Sequence, residues 1–397
     1  MSPFPAVCHL IRAYGSPSET FVVNQVSHHR RYRPVVLCHL QRPDAPHPMS
    51  GMEPEVVSGI PPGSASAALE CSKLRRNLPV RGEIRQALAT MTRREVAVLH
   101  AHFGIDAGVF LPLVALSRRP LVISYYGYDV AAALHMYGGL GGPLLRSVFA
   151  VGQAHLAMTP AMATDLVALG APSHRVYVHH HGIDVAQYSE VGPPTHGTSP
   201  LRVLMVASLV DKKGHEDLLK ALALLRRDGL EIQVRLIGEG YMRERIEDLI
   251  RSSGLAASVT LLGHASYGPE LLGHYEWSDI FVHPSRRARN GDREGLPAAL
   301  LEAMAAARPV VSTKHAGIPY AVRDGREGLL VSERDPAGLA RCIRLLADDP
   351  ALRRRLGSAG HSRACRLFGV DRQVARLEEL YDDLARPRSN VSTRAAS

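Results

Sequence analysis

The chain has 397 residues, 46% hydrophobic and 21% charged, with 47 basic and 38 acidic side chains for a formal charge of +9 and a pI near 9.5. That composition excludes a disordered or fibrous chain, and the length exceeds the ~100–200 residues of one ordinary domain, so two domains are predicted. No finger, basic zipper or RNP-like pattern accompanies the positive charge, which argues against nucleic acid and leaves diphosphates or an anionic membrane face as its partners.

In chain order, segments rich in Val, Ile and Leu alternate with helical periodicity, the signature of parallel sheets covered by helices. Pro34–His39, Val96–His100 and Leu121–Ser124 read as buried strands. Their polar C-terminal ends, His100–Gly104 and Tyr125–Asp129, are therefore expected to face a cleft, where ligands of open α/β sheets collect. The segment Ser18-Glu19-Thr20-Phe21 reads equally as a helix start capped by Ser18 and as a loop facing substrates. Arg42–Pro62, rich in Pro, Gly and Met, reads as an irregular excursion, and the pairs and runs His28-His29 and His179–His181 as surface or strand-end residues rather than ligands.

Val191–Pro200 is the clearest linker, because Pro, Gly, Thr and Ser dominate it. The expected organisation is a first domain over 1–190, a linker over 191–200, a second domain over 201–369, a terminal helix over 370–386 and a frayed tail over 387–397. The second half restarts with a strand at Arg202–Val210, then Asp211-Lys212-Lys213-Gly214 and a helix with Leu218, Leu222 and Leu225 at helical spacing. Gln233–Gly238, Val259–Gly263, Ile280–His283, Pro309–Thr313 and Gly328–Val331 read as further strands of a Rossmann-type sheet. Five scattered cysteines without a CxxC pair predict neither a disulfide framework nor a zinc site, and fit a reducing cytoplasm. No apolar run reaches the ~18 residues of a membrane span, and no signal-peptide pattern opens the chain.

The chemistry concentrates in Asp279–Thr313. Pro297 marks a helix start beside Glu294, and the unpaired N–H groups and positive dipole end of such a start seat phosphate. Glu294 and Glu302, on either side of that start, are placed to grip sugar and ribose hydroxyls, while Lys212 and Lys213, after a strand, can reach a diphosphate. Gly238-Glu-Gly240, also after a strand, is a weak nucleotide signal or an ordinary turn.

Taken in order, Ser208-Leu-Val-Asp-Lys-Lys213-Gly214, Gly238-Glu-Gly240, His283-Pro-Ser285, Gly291-Asp-Arg-Glu294-Gly-Leu-Pro297, Leu301-Glu302-Ala-Met304-Ala and Ala316-Gly-Ile-Pro319 resemble the donor half of the family-4 retaining glycosyltransferases. The likeness is to their bacterial exopolysaccharide and colanic-acid-type branch. Ser18–Phe21, His100-Ala-His-Phe-Gly104, Tyr126-Gly-Tyr-Asp129 and His181-Gly-Ile-Asp184 resemble that branch's N-terminal landmarks.

The resemblance implies an α/β GT-B fold, two Rossmann-like domains facing across a cleft, with the last helix crossing back to the first domain. It also implies transfer of a hexosyl unit from a nucleotide diphosphate sugar to a hydroxyl of a lipid-linked oligosaccharide or exopolysaccharide, without metal or other cofactor. By motif matching, Glu294 meets the donor sugar, Glu302 the ribose, Lys213 and the backbone of Gly295, Leu296, Pro297 and Ala298 the phosphates, and Gly238 and His264 the base. Ser208 stands where many members carry Arg, with Lys212 as the substitute cation. Tyr126 stands where many carry His, which makes His102 the nearer imidazole, and Tyr320 where many carry Glu. Ser18, Glu19, Thr20 and Asp129 fall on the acceptor side, and His181 on the domain junction. These departures keep two rivals open: a non-catalytic nucleotide-sugar or glycan-binding subunit, and a nucleotide-sugar epimerase. The acceptor class and the charge imply peripheral contact with the inner face of the membrane.

Overall fold

Thirteen strands, all paired in parallel, form two sheets in a computed structural model that describes residues 4–14, 19–41, 55–56, 81–192 and 199–386. Ser18, Cys71, most of the Arg42–Pro62 excursion, residues 193–198 of the expected linker and the 387–397 tail lie outside the described residues.

The first sheet contains β1 (Ala6–Tyr14), β2 (Arg33–Gln41), β3 (Glu55–Val56), β4 (Val96–His102), β5 (Leu121–Tyr125), β6 (Ala154–Ala157) and β7 (Val176–Val178) in the order β3-β2-β1-β4-β5-β6-β7. The second contains β8 (Leu201–Val206), β9 (Ile232–Ile237), β10 (Val259–Gly263), β11 (Ile280–His283), β12 (Val310–Thr313) and β13 (Gly328–Val331) in the order β10-β9-β8-β11-β12-β13. Strand order reverses between β1 and β4 and again between β8 and β11. Beyond the carboxyl ends of the strands at such a reversal, open α/β sheets leave a crevice.

Four strands, β1, β3, β6 and β7, escape the sequence reading. β1 carries His9 inside its apolar run, β6 is the four-residue Ala-His-Leu-Ala, and β3 is two residues long, so none shows a clear periodic pattern. In the other direction, the expected strand Arg202–Val210 ends at Val206. Gly238 and Gly240 lie hard against the backbone of Ala207 and Leu209, where a Cβ would approach to 2.0 and 2.4 Å. That contact belongs to a turn leading into the short 3-10 segment Asp211–Lys213.

One apolar cluster runs without a break from Leu99 and Tyr125 under the first sheet, through Met158, Met162 and Leu296, to Leu300 and Leu301 under the second. The two sheets thus share a core across the crevice. The closest backbone approach needs glycine on both sides: a Cβ on Gly127, whose φ is +107°, would lie 2.4 Å from Gly295 N, and one on Gly295 would lie 2.4 Å from Tyr126 O. The last helix, Val370–Ala385, buries Leu377 and Tyr381 against Val7, Val98 and Val122 of the first sheet. Its Glu378 accepts hydrogen bonds from the backbone of Arg30 and Arg31 at 2.9 and 3.0 Å. Among the described residues no helix is long and apolar enough to cross a membrane.

Candidate active site in the crevice between the sheets

A cavity of about 450 Å³ opens where the carboxyl ends of the two sheets face one another. One wall carries Arg12, Glu19, Phe21, Phe103, Tyr126 and His181; the other carries Ser208, Lys212, Lys213, Glu294, Pro297 and Ala298. Phe103 holds φ at +69°, a left-handed backbone that a phenylalanine rarely takes, and such strain concentrates at functional loops.

Lys213 Nζ lies 2.6 Å from Glu294 Oε1, both side chains nearly enclosed. Burial alone would raise the Glu294 carboxyl, yet Lys213, His283 and Lys212 together hold it well below the usual range, so it is a carboxylate. The Glu294 N–H donates to His315 Nε2 at 3.2 Å. Because a backbone N–H can only donate, Nδ1 of that ring carries the proton and gives it to Glu333 at 2.6 Å. This fixes the backbone at the residue whose side chain enters the cavity.

Lys212 pairs with Asp292 at 3.0 Å; burial works against its charge, but Glu294 and Asp292 hold its pKa above the ordinary value. The helix Ala298–Ala305 points its start at the same space with no side chain capping it, so first-turn amides remain to bind an anion. Pro297 is the residue just before that helix rather than its first residue, and its ring keeps φ at −65° there.

A residue not singled out from sequence holds this wall together. Arg286 is buried and bonds Asp211 at 2.5 Å, Glu216 at 3.2 Å and Asp217 at 2.9 Å. Its own N–H donates to Lys212 O at 2.8 Å, so the turn presenting both lysines is tied at side chain and backbone. Its partners lie about 70 residues away in sequence, and no local pattern announces them. Arg12, paired with Asp106 at 3.2 Å, was likewise hidden with the unrecognised strand that carries it. Tyr241, 77% exposed, stands at the rim of the cavity and accepts a hydrogen bond from Asp211 N.

Other expected site residues take different positions. His264 is exposed and does not line the cavity; Gly238 and Gly240 back the turn that carries Ser208. Glu302 is not on the wall either. Its carboxyl is enclosed by tyrosines, accepting a bond from Tyr275 at 3.0 Å, because the helix turns it inward toward Tyr188 and Tyr275. His102 is fully buried behind Tyr126, 2.8 Å from its hydroxyl, and cannot itself touch a substrate. Asp129 is buried too, accepting from Gly104 N at 2.7 Å and Tyr126 N at 2.9 Å, and so braces two loops of the first-sheet wall of the cavity. Glu19 lines the cavity, and Thr20 opens the helix Thr20–Ser27 whose cap residue is Glu19. The histidines read as surface residues are mostly interior: His179, His180 and His181 are buried, and His29 has a buried side chain. His181 lines the cavity, and its Nε2 has no partner among the described residues.

Burial pushes Glu302 up to about 7, against the hydrogen bonds from Tyr275 and Tyr188. A folded-state value above the unfolded one means that the native form binds the extra proton between the two. The associated stability, on the order of 3 kcal/mol, is complete below the ordinary glutamate range and is lost as pH rises through about 7. Glu302→Gln, which mimics the protonated acid, is therefore expected to flatten the decline in melting temperature between pH 5.5 and 8.5. Parallel curves for the variant and the parent would contradict that assignment.

The family profile described as Glycosyl transferases group 1 matches residues 192–363, and that described as Glycosyltransferase Family 4 matches residues 19–187. WcaL of Escherichia coli (strain K12), which bears the provisional name of a colanic acid biosynthesis glycosyltransferase, is 32% identical over 258 residues, covering 64% of this chain and 61% of its own length. The D-inositol 3-phosphate glycosyltransferase of Pseudarthrobacter chlorophenolicus is 30% identical over 299 residues, 71% of this chain and 70% of that protein. Among solved structures, Anabaena Alr3699/HepE in complex with UDP and glucose superposes with a TM-score of 0.76 over 96% of this chain and all of its own; at 18% identity the likeness speaks for the fold alone.

Proposed function

The chain belongs to the family-4 glycosyltransferases and has their GT-B fold, and from that premise we propose that it moves a hexosyl unit from a nucleotide diphosphate sugar to a hydroxyl of a lipid-linked oligosaccharide or growing exopolysaccharide, with retention of the anomeric configuration. The observation that carries the reading is the convergence of Lys213, Lys212, the uncapped helix start at Ala298 and the Glu294 carboxylate on one cavity.

In this reading the diphosphate lies between the lysines and the helix start. Two ammonium groups and oriented amides stabilise the charge that develops on the leaving group, a task that divalent metals perform in other enzymes. Glu294 grips hydroxyls of the donor sugar. The Lys213–Glu294 pair need not break to admit phosphate, since an ammonium group has three N–H donors and can bond both anions at once. Glu302 stands behind that wall, and a ribose would have to share it with Tyr275. The wall bearing Glu19, Tyr126 and His181 receives the acceptor, and closing the crevice excludes water and aligns the two substrates. Neither the binding-subunit nor the epimerase reading gains an observation, because the lysine and carboxylate set is intact despite Ser208.

A thermal-shift panel tests the donor class. A UDP- or GDP-hexose at 100 times its Kd is expected to stabilise the protein by about 2.7 kcal/mol, with the shift unchanged by EDTA. A panel without any stabilising nucleotide sugar would sink the donor reading, and a shift abolished by EDTA would sink metal independence.

The acceptor class and the +9 charge support peripheral contact with the anionic inner face of the membrane. It is expected to sediment with anionic vesicles at low salt and to be released at high salt, where the Debye length shortens to ~3 Å at 1 M. Failure to bind at low salt removes the membrane contact from the proposal.

A further inference from the structure

Behind the acceptor-side wall, side chains from four distant parts of the sequence meet end to end. Glu378 Oε1 is 3.1 Å from His29 Nδ1; His29 Nε2 is 3.2 Å from His9 Nε2; His9 Nδ1 is 3.0 Å from His102 Nε2; and His102 Nδ1 is 2.8 Å from the Tyr126 hydroxyl. Both nitrogens of all three rings are used in this one chain, and Tyr126 lines the cavity between Phe21 and Phe103.

We propose that these residues form a hydrogen-bonded wire, with one proton on each ring, that turns the Tyr126 hydroxyl inward and offers its oxygen to the cavity as an acceptor for the hydroxyl of the incoming sugar. The inference rests on the glycosyltransferase reading for that substrate, but not for the wire itself. His102, His9, His29 and Glu378 are positioning residues in it.

The direction follows from the far end. Glu378 also accepts from the N–H groups of Arg30 and Arg31 and from the Arg31 guanidinium, and as a carboxylate it has no proton to give. Burial would raise it, but the His29 bond and those backbone donors bring it down to about 2. His29 Nδ1 must then carry the hydrogen. With a single proton per ring, His29 Nε2 is bare and takes a hydrogen from His9 Nε2; His9 Nδ1 is bare and takes one from His102 Nε2; His102 Nδ1 is bare and takes the Tyr126 proton. Burial lowers the pKa of His9 and of His102, the latter to about 3, which keeps those two rings neutral. His100 is bonded to Tyr381, to Gln25 Nε2 at 3.2 Å and to Ser124 at 2.8 Å; Ser124 also bonds the Tyr126 hydroxyl, so His100 meets the end of the wire only through Ser124.

A metal is the competing use of these residues, since nitrogens of His9, His100 and His102 lie within 4.8 Å of one another. Ring geometry disfavours it. His100 and His102 are stacked at 18°, so their in-plane lone pairs run side by side instead of converging on one ion.

Nitrogen-15 NMR of the full-length chain labelled at histidine decides between these, with rings assigned by single variants. The wire predicts the hydrogen on Nδ1 of His29 and on Nε2 of His9 and His102. A hydrogen on Nδ1 of His102, a doubly protonated ring in the chain, or a shift of the His9 and His102 nitrogens on adding one equivalent of zinc each overturns it. These readouts stand whether or not any sugar is transferred.

A kinetic test adds the substrate, with an octyl hexoside as soluble acceptor. His102→Leu is expected to raise its KM about tenfold while the donor KM stays within twofold. His102→Asn, which keeps an acceptor atom at the Nδ1 position, is expected to recover most of the loss. Equal losses in Leu and Asn variants, or a rise in donor KM as large as that for acceptor, would reduce these residues to packing.

Discussion

Glu294→Gln is expected to reduce sugar transfer by at least ~10²–10³-fold while the protein stays folded. The amide keeps the volume of the side chain, so the wall does not collapse, and the backbone bond from residue 294 to His315 is untouched. What disappears is the full charge held next to Lys213 in an enclosed site, where hydrogen bonds to an ionised acceptor are about twice as strong as neutral ones. If the carboxylate binds donor hydroxyls more tightly as the glycosidic bond breaks, the loss falls on kcat rather than on donor KM. Far-UV circular dichroism and a melting curve verify the fold, and turnover is read from release of nucleotide diphosphate together with acceptor-bound sugar. A folded variant with parental turnover would remove Glu294 from the chemistry.

The second large effect is expected at Lys213, where removal acts on stability and on function by separable routes. Lys213→Ala leaves a buried carboxylate without its nearest cation. Breaking one partner of such a pair typically costs about 3–5 kcal/mol, and here Lys212 and His283 soften the loss. In the proposed reading the same substitution also withdraws an ammonium group from the diphosphate, so donor affinity and transfer are both expected to fall. The double variant Lys213→Ala with Glu294→Gln separates the two routes, because residues in contact are not additive. Its melting temperature is expected to recover toward that of the parent, while transfer remains lost. Additive destabilisation would mean that the 2.6 Å pair carries little coupling, and retained transfer would mean that the phosphate is neutralised elsewhere.

The second-sheet wall of the cavity was legible in the sequence because its parts are contiguous. Lys212, Lys213 and Gly214 follow one strand, and Glu294 to Ala298 follow another, so strand ends and a proline at a helix start were enough to put them on one rim. The orientation of Glu302 was not legible. Eight residues after Glu294 along a helix fixes its height but not its neighbours, and its direction is set by Tyr188 and Tyr275, which come from distant segments.

The first-sheet wall shows the same limit more strongly. His9, His29, His102 and Glu378 have no shared spacing: His29 reads as a surface or strand-end residue, His102 as a cleft-facing imidazole, and His9 and Glu378 stand in no motif. They meet because β1 and β4 are neighbours in the first sheet and the last helix returns to cover it. β1 itself passed unnoticed, and with it Arg12. Arg286 was missed for a related reason: an arginine in a polar loop is unremarkable until Asp211, Glu216 and Asp217 from a helix start some 70 residues earlier enclose it.

The central claim is that a nucleotide diphosphate sits against Lys213 and the start of the helix Ala298–Ala305, with its sugar on Glu294. Diffraction from crystals of the protein soaked with the UDP- or GDP-hexose that gives the largest thermal shift tests it most directly. Phosphate oxygens are expected within ~3 Å of Lys213 Nζ and of the first-turn amides, and a sugar hydroxyl within the same distance of a Glu294 oxygen. Density for the nucleotide at any other place on the surface, with Glu294 still bound only to Lys213, would contradict it.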